Sequence, residues 1–150
     1  MGAGGCRGTD ACELLAAPLT ALCTPSIAEQ LRTPVDLLKH TLLRSYRADE
    51  WSLWLQAAGL PADTLIPRSI VFDSSLAMME AALQGIGVAL APAMMFSRQL
   101  ESDVIRQPFD IGITTGSYWL TRLQSRAETS AMLAFKAWLQ DVCAQPGKLS

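Results

Sequence analysis

In this 150-residue chain, a serine pair at a strand-to-helix turn and a tyrosine on a glycine-flanked strand are the side chains best suited to touching a ligand. Asp73-Ser74-Ser75 follows the apolar run Ser69-Ile70-Val71-Phe72 and opens a helix. At such a junction unpaired N–H groups and the positive helix end can hold a carboxylate or phosphate, and the hydroxyls add hydrogen bonds. The same residues also make an ordinary N-cap, which is the reading the residues alone favour. Tyr118 lies on a short strand between Gly116 and Trp119. Its apolar ring and phenolic hydroxyl suit a cleft wall, although an ordinary tyrosine at the edge of a core has the same pattern.

Other chemistry fails on spacing. The four cysteines (Cys6, Cys12, Cys23 and Cys143) include no CxxC pair, and His40 is the only histidine that could join them on a metal. They read as thiols of a reducing compartment, and no metal or other cofactor is expected. His40 lacks a Gly-x-Ser-x-Gly nucleophile elbow and reads as a loop or helix-end residue, so no enzyme is expected. Trp51 and Trp54 fall at helical spacing, which favours packing over sugar stacking.

The elements that must position these residues alternate along the chain. A glycine-rich start (Gly2, Gly4, Gly5, Gly8) reads as a loop, and Leu14–Cys23 as one strand. Thr24-Pro25 and Thr33-Pro34 are helix starts, each a capping hydroxyl followed by proline. Leu42–Tyr46 reads as a strand, and Asp49 as the cap of a helix with Trp51, Trp54, Leu55 and Ala58 on one face and Gly59 at its stop. After Ser69–Phe72 comes the helix from Asp73, with Leu76, Met79, Leu83 and Ile86 expected on its buried side and Gly85 and Gly87 closing it. Strands are expected at Val88–Leu90, around Val104-Ile105 and at Ser117–Thr121, with a short helix over 94–100. A last amphipathic helix carries Met132, Phe135, Leu139 and Val142, with Trp138 beside them. Alternating strands and helices predict an α/β fold with an open, mostly parallel sheet, whose ligands bind beyond the carboxyl ends of its strands.

Composition narrows the function classes. Half the residues are hydrophobic and 17% are charged, too apolar for a disordered segment. The length suits one domain that needs no staple. A net charge of −2 without any basic cluster argues against a free-standing nucleic-acid reader. The longest uncharged runs, Leu14–Ala28 and Ala81–Ser97, are short of a membrane span and carry proline or glycine. Asp10 and Glu13 spoil a signal peptide, so the expected compartment is cytoplasmic and no membrane contact is expected.

Several runs carry a family resemblance. Leu22-Cys23-Thr24-Pro25, Leu42 through Trp51, Val71 through Ser75, Glu80 through Pro92 and Gly116 through Arg126 resemble LysR-family transcription regulators. The Asp-Ser-Ser and Gly-Ser-Tyr-Trp blocks are similar to the AmpR-type branch, the activators of chromosomal β-lactamase genes. The resemblance implies a periplasmic-binding-protein-like (type II) effector domain, two α/β lobes with the ligand in the cleft between them. It divides the chain into a glycine-rich remnant (1–12), the second lobe (13–115), and a crossover strand with the C-terminal helix of an incomplete first lobe (116–150). It implies muropeptide ligands: UDP-N-acetylmuramyl pentapeptide for the repressing state and anhydro-muramyl peptides for activation. The family's pocket serine and tyrosine fall on Ser75 and Tyr118, with Asp73 and Ser74 alongside. A homo-oligomer is implied for the full-length regulator, and DNA contact only through an N-terminal helix-turn-helix. The alternative expectation is an interaction or dimerisation module that does not bind ligand.

Overall fold

A computed structural model describes residues 8–145, which form two compact units. One unit runs from Pro18 to Thr115, and the other combines the residues up to Ala17 with those from Gly116 onward. The first break therefore falls at Ala17–Pro18, not between residues 12 and 13. The reason is β1 (Thr9–Ala16), which pairs from end to end with β7 (Ser117–Leu123) as an antiparallel ribbon, with a bulge between Glu13 and Leu15. The single strand expected over Leu14–Cys23 is thus two strands, β1 and β2 (Leu19–Leu22), in different sheets. Pro18, with no N–H for a ladder, stands between them.

The larger unit is built on a five-stranded sheet in the order β4-β3-β5-β2-β6. Its strands are β2, β3 (Leu42–Ser45), β4 (Ser69–Phe72), β5 (Val88–Pro92) and β6 (Gly112–Ile113). β3 pairs in parallel with β4 and β5, whereas β2 runs antiparallel to β5 and β6. Four strands of this sheet therefore run the same way and β2 runs against them, which is the open, mostly parallel sheet expected. Period-two alternation feeds two cores. Ala21, Leu42, Val88 and Leu90 join Trp51, Trp54 and Leu55 of α2 (Glu50–Ala57) on one face. Leu22, Leu43, Ala89 and Ala91 join Met78, Met79, Ala81 and Ala82 of α3 (Ser75–Leu83) on the other. Every residue of β5 is buried, as a central strand covered on both faces must be. The crossover β3–α2–β4 steps outward in the sheet and β4–α3–β5 steps back. Right-handed crossovers in opposite directions put their helices on opposite faces, as α2 and α3 are.

Other expectations change in detail. α1 is a single turn, Pro25–Ala28, and the start at Pro34 gives a 3-10 helix, Pro34–Lys39. There the Lys39 ammonium donates to the Asp36 carboxylate at 2.8 Å and, with the Thr33 and Arg32 N–H groups that it accepts at 3.0 Å each, holds its pKa far below the usual carboxylate range. Asp49 adopts helical angles and its side chain makes no cap. In α3 Leu76 is exposed and the buried side is Met78, Met79, Ala81 and Ala82; Ile86 lies beyond the end of the helix and is also exposed. Met79 and Leu83 of the expected stripe do face the core, and the buried side widens from them to Met78, Ala81 and Ala82 rather than to Leu76. Val104-Ile105 forms no strand: Asp103, at φ 58°, turns the chain after α4 (Ser97–Glu101), and Ile105 drops into the core. Only one bridge, Cys23 to Arg106, remains there, and the unforeseen β6 takes the sheet edge.

In the smaller unit, α5 (Ser130–Ala144) packs along β1. None of its residues is fully buried, and Leu133, Phe135 and Trp138 are each about half exposed.

Candidate functional site

Parallel β3, β4 and β5 all end at one edge of the larger unit, so the turns after Ser45, Phe72 and Pro92 lie together. β2 begins at that edge, because Leu19 pairs with Pro92 and also with Ile113 of β6. The two chain segments that link the units, at Pro18 and Thr115, leave from the same edge. Ligands of α/β sheets bind at such carboxyl edges.

The β4-to-α3 turn supplies Asp73, Ser74 and Ser75. Ser74 is the N-cap: its backbone is extended and its Oγ accepts the Ala77 N–H at 3.4 Å. Capping therefore accounts for Ser74. Ser75 is the first residue of the helix and half-buried, and its hydroxyl has no partner among the described residues. The first helical N–H groups, those of Ser75 and Leu76, have no intrahelical acceptor, so a hydroxyl and two amides are open to an anion. Asp73 is exposed just ahead of the cap. Tyr118 lies in the other unit, on β7 opposite Leu15, and is 46% exposed. The structure thus brings Asp73, Ser74 and Ser75 together and places Tyr118 on a separate compact unit.

Residues near this edge were not anticipated as polar machinery. Glu50 is buried at the start of α2, where its carboxylate accepts the Ser45 hydroxyl at 2.8 Å. The signal was available, since Ser45 closes a strand five residues before an acid that opens a helix. Trp51 donates its indole N–H to Leu43 O at 2.9 Å and meets Trp54 edge to face at 5.7 Å. Both tryptophans are core residues, not a stacking platform.

The smaller unit holds a cavity of about 550 Å³ between α5 and the β1–β7 ribbon, lined by Asp10, Cys12, Leu120, Arg122, Met132, Phe135 and Lys136 among others. It includes neither Ser75 nor Tyr118. Arg122, on its wall, pairs with Asp10 and, at 3.9 Å, with Glu128. His40 ends the 3-10 helix. Cys23 is buried, which pushes its thiol up to about 12, while Cys12 and Cys143 are half-buried; all three are free, and Cys6 lies outside the described residues. Among the described residues no cluster of three metal-ligating side chains occurs, and no helix is long and apolar enough to cross a membrane.

Residues 7–144 match the LysR substrate binding domain family. The chain is 67% identical over 144 residues to the HTH-type transcriptional activator AmpR of Pseudomonas aeruginosa, covering 96% of this chain and 49% of the relative. It superimposes on the X-ray structure of the effector domain of that regulator with a TM-score of 0.89 and 65% identity, over 99% of this chain and 73% of the solved one. A Citrobacter freundii effector binding domain with three substitutions (a threonine to valine, a serine to alanine and a tyrosine to phenylalanine) superimposes with a TM-score of 0.85 and 50% identity, over 95% of this chain and 72% of that one. The chain spans about half the length of the curated relatives it matches. By family match, identity and fold, the chain belongs to the LysR substrate-binding domain family and is an AmpR-type effector-binding portion.

Proposed function

We propose that this chain senses cell-wall muropeptides for a LysR-type regulator of β-lactamase expression, in the cytoplasm and without catalysing a reaction. Ser75, with Asp73 and Ser74 beside it, and Tyr118 contact the ligand. UDP-N-acetylmuramyl pentapeptide favours the repressing state and an anhydro-muramyl peptide the activating one, each through tighter binding to one arrangement of the domain. DNA is contacted by a part of the regulator outside these residues, and the regulator works as a homo-oligomer.

The observation that carries this reading is the unpartnered, half-buried Ser75 hydroxyl in the first turn of α3, at the edge where both linking segments leave. The substituted Citrobacter freundii domain supports it. Its altered serine and tyrosine lie as far apart in sequence as Ser75 and Tyr118 do here. A muropeptide offers carboxylates and sugar hydroxyls, which match a helix N-terminus and a phenol.

Calorimetric titration of both muropeptides tests the reading. Wild type is expected to release heat, and Ser75→Ala and Tyr118→Phe to reduce it; an unchanged isotherm in both variants would sink the proposal. A second reading, an interaction module without ligand binding, is favoured by the half-exposed Leu133, Phe135 and Trp138 of α5. It predicts self-association and no heat from either muropeptide.

A further inference from the structure

The Ser45-Tyr46-Arg47 turn after β3 has a surface that its structural role does not explain. We infer that Arg47, with Tyr46 beside it, is a specificity-determining contact that binds a carboxylate of the peptide part of the ligand. This rests on the muropeptide reading above.

Three observations carry it. β3 and β4 are parallel neighbours with Ser45 opposite Phe72, so Tyr46 and Arg47 leave the sheet beside Asp73 and Ser74. Adjacent strands are about 5 Å apart, which puts the two turns within reach of one ligand. The backbone of the turn is held from beneath. The Ser45 hydroxyl donates to buried Glu50 at 2.8 Å and accepts the Arg47 N–H at 3.3 Å. The side chains of Tyr46 and Arg47 are nevertheless exposed, the tyrosine at 71%.

The third observation is charge. Arg44, Arg68, Arg106 and Arg122 all engage acceptors within the chain. The guanidiniums of Arg32, Arg47, Arg98 and Arg126 have no acceptor among the described residues, and of these Arg47 directly follows β3 at the edge that bears Ser75. A guanidinium on a fixed backbone suits bidentate pairing with a carboxylate, and a neighbouring phenol gives an apolar wall with a hydrogen-bonding tip. The α3 N-terminus and Arg47 would then divide a ligand with two anionic or polar ends.

The test is titration of UDP-N-acetylmuramyl pentapeptide, as the acid and with its peptide carboxylates amidated, into wild type, Arg47→Gln, Arg47→Lys and Ser75→Ala. Arg47→Gln is expected to weaken binding of the acid about tenfold and leave the amidated form unchanged, with Arg47→Lys recovering part of the loss. Equal weakening of both forms, or none, would overturn the role of Arg47 while leaving the Ser75 site intact. Absence of binding to wild type would overturn the site and this inference with it. Urea midpoints equal to wild type are expected for both Arg47 variants, because the side chain is exposed.

Discussion

Replacing Gly87, buried just ahead of β5, by alanine should cost far more than the loss of a glycine in a loop implies. A Cβ at Gly87 would lie 2.1 Å from Thr41 O and 3.0 Å from Thr41 C, both backbone atoms, so no rotamer can relieve the clash. Ordinary carbon–oxygen contacts are above about 3.3 Å, so the backbones would have to part by about 1 Å. That separation breaks the Val88 N–H to Thr41 O bond, 2.9 Å long, which starts the β3–β5 pairing. A lost hydrogen bond near 1 kcal/mol plus overpacking of about 2 kcal/mol gives about 3 kcal/mol, roughly a hundredfold in the folded-to-unfolded ratio. Gly85→Ala is the control. A Cβ there meets nothing within 4 Å, and the cost is only that of φ +75°, about 1–2 kcal/mol. Urea unfolding followed through buried Trp51 and Trp54 measures both variants. If Gly87→Ala came within 1 kcal/mol of wild type, or proved milder than Gly85→Ala, the close approach would be refuted.

Further expectations concern the core, the cap and the buried thiol. Thr20 Oγ1 and Trp54 Nε1 both donate to Ile111 O, at 2.9 and 3.0 Å. Thr20→Val and Trp54→Phe should therefore combine more than additively in denaturant titrations, because only the double variant orphans that carbonyl; strict additivity would contradict the shared acceptor. Ser74→Ala should lower stability by about 0.5–1 kcal/mol through loss of the cap, whereas Ser75→Ala should leave the urea midpoint unchanged. Cys23 has its folded pKa raised from 9.0 to about 12 by burial. Its contribution is full below pH 9.0 and is lost as pH rises towards about 12, because the unfolded thiol ionises first. Thiol labelling at mild alkaline pH should accordingly reach Cys12 and Cys143 in the native protein and Cys23 only on unfolding; rapid native labelling of Cys23 would refute its burial.

Local signals carried much of the fold. Caps, prolines and apolar periodicity located α2, α3, β3, β4, β5 and α5, because each combines a punctuating residue with a matching period. What failed depended on distant partners. Val104-Ile105 has strand-forming side chains, yet Asp103 turns the chain and Ile105 serves the core. Gly112-Ile113 has almost no strand signal and pairs only because β2 offers an open edge. Gly87 looked like half of a helix stop, and only the approach of Thr41 shows why it must lack a side chain. At the candidate site, the Ser74 cap was legible from the turn itself. The resemblance already set Ser75 and Tyr118 in different parts of the chain, but the pairing of β1 with β7, which joins residues 9–16 to the unit of Tyr118, was not legible, because it links the two ends of the chain.

The most direct test of ligand binding at the carboxyl edge of β3 and β4 is backbone-amide mapping by NMR. UDP-N-acetylmuramyl pentapeptide would be titrated into isotope-labelled protein. The expected result is saturable shifts at 45–47, 73–77 and Tyr118, with the 3-10 helix Pro34–Lys39 unmoved at the opposite ends of the parallel strands. No saturable shift, or shifts gathered at that 3-10 helix instead, would contradict it.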